Sequence, residues 1–224
     1  MTGNCFLVRK YMLTGKKVLI FDLGGVVIDL FVDRTFAAMV ALGVPAGMLT
    51  EQGCLVSSAM MQYDRGDITT DEMFGYIKSF IPNHVTERLG DALDSEVQRV
   101  WNLMLGDIPA VKLQRLAALR SAGYRVVMLS NTNSGHWPRI EQVFTQAGGK
   151  LPSECFDALY LSYQMRRRKP EPGIFLSLLE SEGVLPADCL FFDDSVENCA
   201  AARALGIDAV HVERNAPWNG IFNE

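Results

Sequence analysis

The sequence has no apolar run approaching about 18 residues, the length at which a membrane-spanning helix is read, so no transmembrane segment is expected. Its first 16 residues carry lysines and arginines but no apolar stretch followed by a small-residue cleavage site. They are expected to be a loosely attached lead-in rather than a signal peptide. Cysteine is sparse and unpatterned: five residues, Cys5, Cys54, Cys155, Cys189 and Cys199, an odd number with no CxxC pair. That spacing argues against a disulfide framework and against a structural zinc site, and it points to a cytoplasmic protein. Cys189 and Cys199 lie in apolar surroundings and read as small core residues. Positive charge is also lacking. A net charge of −5 leaves no electrostatic footprint for nucleic acid, while a small anionic partner stays open because one local site can be positive on an acidic chain. There is no internal repeat and no low-complexity tract.

What is present is ordinary globular material. The 224 residues are 49% hydrophobic and 21% charged, enough for one large domain or for a core with a smaller insert. Val18-Leu19-Ile20-Phe21 is a short apolar run that ends on Asp22 and then on Gly24-Gly25, the pattern of a buried parallel strand delivering a carboxylate to a tight loop. Residues 33–107 show no convincing strand. They carry helical periodicity instead: Phe36, Met39, Val40; then Met73, Phe74, Ile77; then Leu93, Val97, Val100, Trp101. Breakers such as Gly43-Val44-Pro45 and Ile81-Pro82-Asn83 divide the stretch, and Thr69-Thr70-Asp71-Glu72 reads as a helix start. From Pro109, placed at a helix start, strands and helices alternate. Strands are expected at 126–129, 158–161, 190–192 and 209–212, with a helix from Pro172 to a terminating Gly183. The fold expected is therefore α/β: a doubly wound parallel sheet formed by 17–32 and 108–224, with an all-helical cap inserted at 33–107.

In such sheets ligands bind beyond the carboxyl ends of the strands. Those ends, and the loop after the third strand, supply Asp22, Ser130, Asn131, Arg166-Arg167-Arg168-Lys169-Pro170, Asp193 and Asp194. Three carboxylates brought together repel one another unless a cation joins them. Oxygen ligands of this kind suit Mg²⁺, and Mg²⁺ with a lysine is the equipment that stabilises a phosphoryl group in transfer. A carboxylate can itself be the nucleophile.

Four stretches carry a resemblance that spans about residues 17–213. Phe21-Asp22-Leu23-Gly24-Gly25-Val26, Leu129-Ser130-Asn131-Thr132, Arg168-Lys169-Pro170-Glu171-Pro172 and Phe191-Phe192-Asp193-Asp194-Ser195 resemble, in order, the motifs of the haloacid dehalogenase-like (HAD) hydrolases. Within that superfamily the wording is similar to bacterial sugar-phosphate phosphatases of the α-D-glucose-1-phosphate phosphatase type. Tyr160-Leu161-Ser162 and, in the insert, Asp64-Arg65-Gly66-Asp67-Ile68 share in it. The resemblance implies an Mg²⁺-dependent phosphatase acting on a small phosphorylated metabolite through an aspartyl-phosphate. Asp22 would be nucleophile and metal ligand. The Gly24 carbonyl and Asp194 would be further ligands, with Asp193 supporting the metal. Ser130, Asn131 and Lys169 would hold phosphate oxygens, Gly24 and Gly25 would line the phosphate loop, and Arg65 and His136 would face the substrate. The oligomeric state stays open between monomer and homodimer.

Two positions depart from the family pattern. Where most phosphatases of this superfamily carry a second aspartate, as general acid and base, this chain has Gly24. Either the leaving group needs less help, as an anomeric phosphate would, or His136 or Asp29 substitutes, or turnover is slow. Arg166 stands where relatives usually have glycine, and either adds charge over the phosphate or is a solvated loop arginine. Two rival readings follow. A metal-independent 2-haloacid dehalogenase would use the same Asp22, but the Asp193-Asp194 pair argues against it. A catalytically weak fold-mate used for binding or regulation draws only on Gly24.

Overall fold

The structure, a computed structural model, describes residues 13–49 and 58–218. Most of the expected lead-in, and with it Cys5 and Cys54, lies outside the described residues. Five strands form one parallel sheet: β1 (Val18–Phe21), β2 (Arg125–Ser130), β3 (Ala158–Leu161), β4 (Cys189–Asp193) and β5 (Asp208–His211), in the order β3-β2-β1-β4-β5. The helices are α1 (Val32–Ala41), α2 (Ser58–Asp64), α3 (Thr70–Lys78), α4 (Asn83–Leu89), α5 (Leu93–Trp101), α6 (Ala110–Ser121), α7 (Trp137–Gly148), α8 (Pro152–Cys155), α9 (Ser162–Met165), α10 (Pro172–Glu182) and α11 (Val196–Ala204).

The sheet is covered on both faces, which is why its inner strands are apolar throughout instead of alternating. The two-residue period still decides which side each residue packs on. Leu19, Phe21, Val126, Met128, Leu190 and Phe192 join Leu116 of α6 and Ile140, Val143 and Phe144 of α7 in one core. Val18, Ile20, Val127, Leu129 and Phe191 join Ile174, Phe175 and Leu178 of α10 and Ala202 of α11 in the other. Phe21 also stacks on Phe192, ring centroids 4.6 Å apart, and on the buried Trp218.

β2 and β4 run slightly longer than their apolar runs suggest, because polar residues continue the ladder. Ser130 pairs with Leu161, and Asp193 pairs with His211. Pro109 is the cap residue before α6 rather than part of its first turn. Gly183 does end α10, in the left-handed conformation. Thr69 and Glu72 close a reciprocal capping box at the start of α3.

Between β1 and α6 the described residues hold the helices α1 to α5, the inserted cap. They bury a cluster of their own around Met73, Ile77, Val97, Val100 and Trp101. Val40, although part of the apolar periodicity, is exposed. None of the helices among the described residues is long and apolar enough to cross a membrane.

The chain leaves and re-enters the sheet layer through two crossing segments. Leu30 and Leu105 form an antiparallel bridge, Gly106 N donates to Asp29 O at 2.8 Å, and Phe31 N donates to Met104 O at 2.8 Å. Asp29 accepts from the fully buried Lys112 at 3.0 Å, which ties the outgoing segment to α6. A Cβ at Gly106 would lie 2.6 Å from the Phe31 ring and 2.8 Å from the Asp29 carbonyl. Gly106→Ala is therefore expected to cost about 1–3 kcal/mol, the range for overpacking, measured by urea denaturation. An unchanged midpoint would show that this crossing is loosely packed.

Candidate active site

Asp22 follows β1 directly, and its amide donates to Phe192 O at 2.8 Å, so the adjacent strand fixes its backbone. The side chain meets the ammonium of Lys169, which donates to Asp22 Oδ1 at 2.7 Å and to Asp193 Oδ2 at 2.6 Å. Lys169 and Asp193 are essentially inaccessible, at 1% and 0% exposure, while Asp22 retains 8%. The Lys169 backbone is clamped by Asn131: Lys169 N donates to Asn131 Oδ1 and Asn131 Nδ2 donates to Lys169 O, both at 2.8 Å. The carboxamide of Asn131 is thus spent on positioning Lys169, not on reaching outward.

The two acids after β4 divide their labour. Asp193 Oδ1 accepts from Ser195 N at 2.8 Å, and Asn198 Nδ2 donates to both of its oxygens at 3.0 and 3.1 Å. With Lys169 added, Asp193 is enclosed by donors. Asp194 lines the cavity beside Asp22 and accepts from Arg214 Nε at 2.6 Å. One ligand atom from each of Asp22, Asp193 and Asp194 falls within 4.8 Å of the others. The Asp22 carboxyl is raised to about 7 overall: burial pushes it up most, Lys169 pulls it back, and Asp193 and Asp194 add to the rise. Burial alone would lower the Lys169 ammonium, but Asp193 and Asp22 outweigh it and hold it above the usual lysine value, so the lysine stays charged.

The loop at Gly24-Gly25 is shaped by the same acids. Gly25 has φ +77°, and a Cβ there would sit 2.6 Å from Asp194 Oδ2. Its amide donates to Ile28 O at 2.7 Å. Gly25 therefore makes room for Asp194, a conformational role that only glycine fills without strain. Gly24 lines the cavity, and a Cβ there would meet only Leu30, at 3.4 Å.

Above this base lies a cavity of about 240 Å³, which Ser130, Asn131, Lys169, Asp194 and His136 also line. His136 stacks on Trp101 and shares a 2.9 Å hydrogen bond between Nδ1 and Asn102 Oδ1. Since the amide oxygen accepts, Nδ1 carries the proton and Nε2 is an acceptor. Burial lowers the His136 pKa to about 3, so the ring is neutral at physiological pH and is a poor stand-in for an acid at position 24. Asp29, the other candidate, is engaged with Lys112 in the crossing segments and is not part of the cavity wall.

Arg65 falls elsewhere than expected, and Arg166 matches the second of its two readings, an exposed loop arginine. Arg65 is outside the cavity wall and pairs with Glu171, joining the helical cap to the start of α10. Arg166 is also absent from the wall: it bonds to Gly66 O and lies 3.5 Å from Asp67. It occupies the left-handed region at φ +56°, which explains physically why glycine suits that position. The residue that does reach the cavity is Arg65's neighbour Asp64, the last residue of α2, 7% exposed. Burial raises its carboxyl to about 6, against Arg168 and a hydrogen bond from Asn133. Its only signal in the sequence is membership of the Asp64–Ile68 stretch.

Comparison with known proteins agrees with this geometry. The haloacid dehalogenase-like hydrolase family profile matches residues 16–206. The chain is 28% identical over 204 residues to D-ribitol-5-phosphate phosphatase of Bacteroides thetaiotaomicron, covering 90% of this chain and 94% of that one. Among solved structures it is similar to a variant HAD family enzyme of B. thetaiotaomicron in complex with magnesium and inorganic phosphate. That match has 31% identity and a TM-score of 0.81, over 91% of this chain and 97% of the other. A HAD-like family hydrolase of Porphyromonas gingivalis follows at 26% identity and a TM-score of 0.77, over 92% and 95%. Strand order, inserted helical cap and the acids at the strand ends agree with a match over most of its length: the chain belongs to the haloacid dehalogenase-like hydrolase family.

Proposed function

We propose that the protein is a divalent-cation-dependent phosphatase that transfers the phosphoryl group of a small phosphorylated metabolite, a sugar or polyol phosphate, to Asp22 and then to water. The observation that carries the reading is the Asp22–Lys169–Asp193 bridge at the base of the cavity, with Asp194 on its wall. The similarity to D-ribitol-5-phosphate phosphatase and to a magnesium- and phosphate-bound relative supports it.

The donor set suits Mg²⁺. Three carboxylates converge within 4.8 Å, the cations held against them are Lys169 and Arg214, and burial already makes ionised Asp22 costly. Asp22 and Asp194, with the Gly24 carbonyl, would hold the ion, and Asp193 would support them by fixing Lys169. When bound, the ion offsets the repulsion between Asp22 and the phosphoryl oxygens. Asp22 then attacks phosphorus, the bond from phosphorus to the leaving oxygen breaks, and water hydrolyses the resulting acyl phosphate. Ser130 and the Lys169 ammonium face the phosphoryl oxygens. Gly24 gives the leaving oxygen no proton, so turnover depends on the leaving group's own basicity and on water admitted to the cavity. A dehalogenase handling an anionic acid gains nothing from Asp194 beside Asp22.

With Mg²⁺ and a panel of sugar and polyol phosphates, the protein is expected to release phosphate. Asp22→Asn should lose activity by on the order of 10⁴–10⁶-fold, and chelation should abolish turnover until Mg²⁺ is restored. Turnover that survives either change contradicts the mechanism.

The raised Asp22 pKa also predicts a pH dependence of stability. Its folded value of about 7 stands against an ordinary 3.8, so between those values the folded state keeps a proton that the unfolded chain has lost. This contribution is present in full below about pH 4 and is lost as pH rises toward 7, at up to about 1.4 kcal/mol per pH unit. In urea titrations under chelator, Asp22→Asn should flatten that decline. The same slope in both proteins would show that Asp22 is not the titrating group.

A further inference from the structure

The cap contributes Met60, Asp64, Trp101, Met104 and Leu105 to the cavity wall, and among these described residues Asp64 is the one charged side chain. It is buried, and its partners come from the core. Arg168 Nη2 stands at 3.5 Å, the outer edge of a hydrogen bond. Asn133 supplies the other contact. Its Oδ1 accepts from His136 N at 3.1 Å and from Trp101 Nε1 at 3.3 Å, which turns its amide nitrogen toward Asp64. A carboxylate has about four acceptor sites, so these two donors leave capacity unfilled. His136, neutral and with Nε2 as acceptor, lines the same cavity. Asp64 and His136 therefore both offer acceptors to a ligand on this side of the cavity. A ligand that brings only C–H groups there would leave Asp64 cut off from water with those acceptor sites unfilled, which is costly. At about 240 Å³ the space is also below the usual range for drug-sized ligands, so the leaving group is short.

We propose that Asp64 determines the leaving group: it accepts a hydroxyl hydrogen bond and selects short hydroxylated alcohol phosphates over alkyl phosphates of the same chain length. The proposal rests on the phosphatase reading above. The competing explanation of the same contacts is that Asp64 only fastens the cap to the core through Arg168.

The test compares kcat/KM for a pentitol 5-phosphate and for pentyl phosphate, with Mg²⁺, in wild type, Asp64→Asn, Asp64→Leu and Arg168→Met. Asp64→Leu should shrink the wild-type preference for the pentitol phosphate about 10–100-fold, chiefly through KM, as expected for one lost hydrogen bond to a charged group. Asp64→Asn, which keeps the shape and one acceptor, should fall between. Should Asp64→Leu fail to fold, Asp64→Asn decides by the same ratio. Arg168→Met, assayed at alkaline pH so that Asp64 stays ionised without its cation, removes the fastening but not the acceptor and should leave the ratio as it is. An unchanged ratio in the folded Asp64 variants overturns the proposal while leaving the phosphatase reading standing. A ratio that collapses equally in Arg168→Met also overturns it, in favour of the fastening role. Wild-type protein that turns over members of the wider panel but not the pentitol phosphate also overturns it, and protein that releases phosphate from nothing in the panel sinks the phosphatase reading itself.

Discussion

A single ammonium, Lys169 Nζ, is buried between carboxylates from two different strand ends, Asp22 after β1 and Asp193 at the end of β4. Its partners are separated from it by 147 and 24 residues in the chain, so the contact exists only once the sheet is assembled. Breaking such a buried pair typically costs about 3–5 kcal/mol, because the remaining charge is stranded. Several features of the molecule serve this contact. Asn131 grips the Lys169 backbone from both sides, Asn198 and Ser195 satisfy the rest of Asp193, and β1 lies between β2 and β4 at the centre of the sheet.

The bridge sets the electrostatics of the cavity above it. Lys169 remains charged, while Asp22, drawn upward by burial and by its acidic neighbours, is poised near neutrality. In the proposed function Asp22 would be a nucleophile whose ionised form depends on Lys169 and on the divalent ion that Asp22 and Asp194 would hold. Asp194 comes close to the Gly24-Gly25 loop because Gly25, without a Cβ, lets it approach. The proton on the leaving oxygen has no side chain assigned to it at Gly24. His136 is neutral and Asp29 is tied to Lys112, so the wall offers little acid catalysis and selection falls to the leaving group.

Much of the fold was legible in the sequence because buried parallel strands are short apolar runs, and each here ends near a carboxylate, a hydroxyl or a turn. The acids, the lysine and the serine could be named for the same reason: the strand ends gather them. What the sequence does not express is side-chain direction across long-range contacts. Arg65 was read as facing substrate, yet one residue along a helix turns a side chain by about 100°, so Asp64 reaches the cavity and Arg65 reaches Glu171. Asn131 is expected at the phosphate and does line the cavity, while its carboxamide matches the main chain of Lys169, 38 residues away. Gly25 is expected in the phosphate loop, and its missing Cβ leaves room for Asp194. Each of these depends on where two distant segments meet, which local periodicity does not encode.

The most direct test of the proposed chemistry is rapid acid quenching of the protein during turnover of a radiolabelled sugar phosphate with Mg²⁺, followed by peptide mapping. A transient acid-stable phosphoryl group is expected on the peptide that contains Asp22, formed before steady state and absent in Asp22→Asn. Phosphate released with no phosphoryl-protein at any time, or label on another residue, would contradict it.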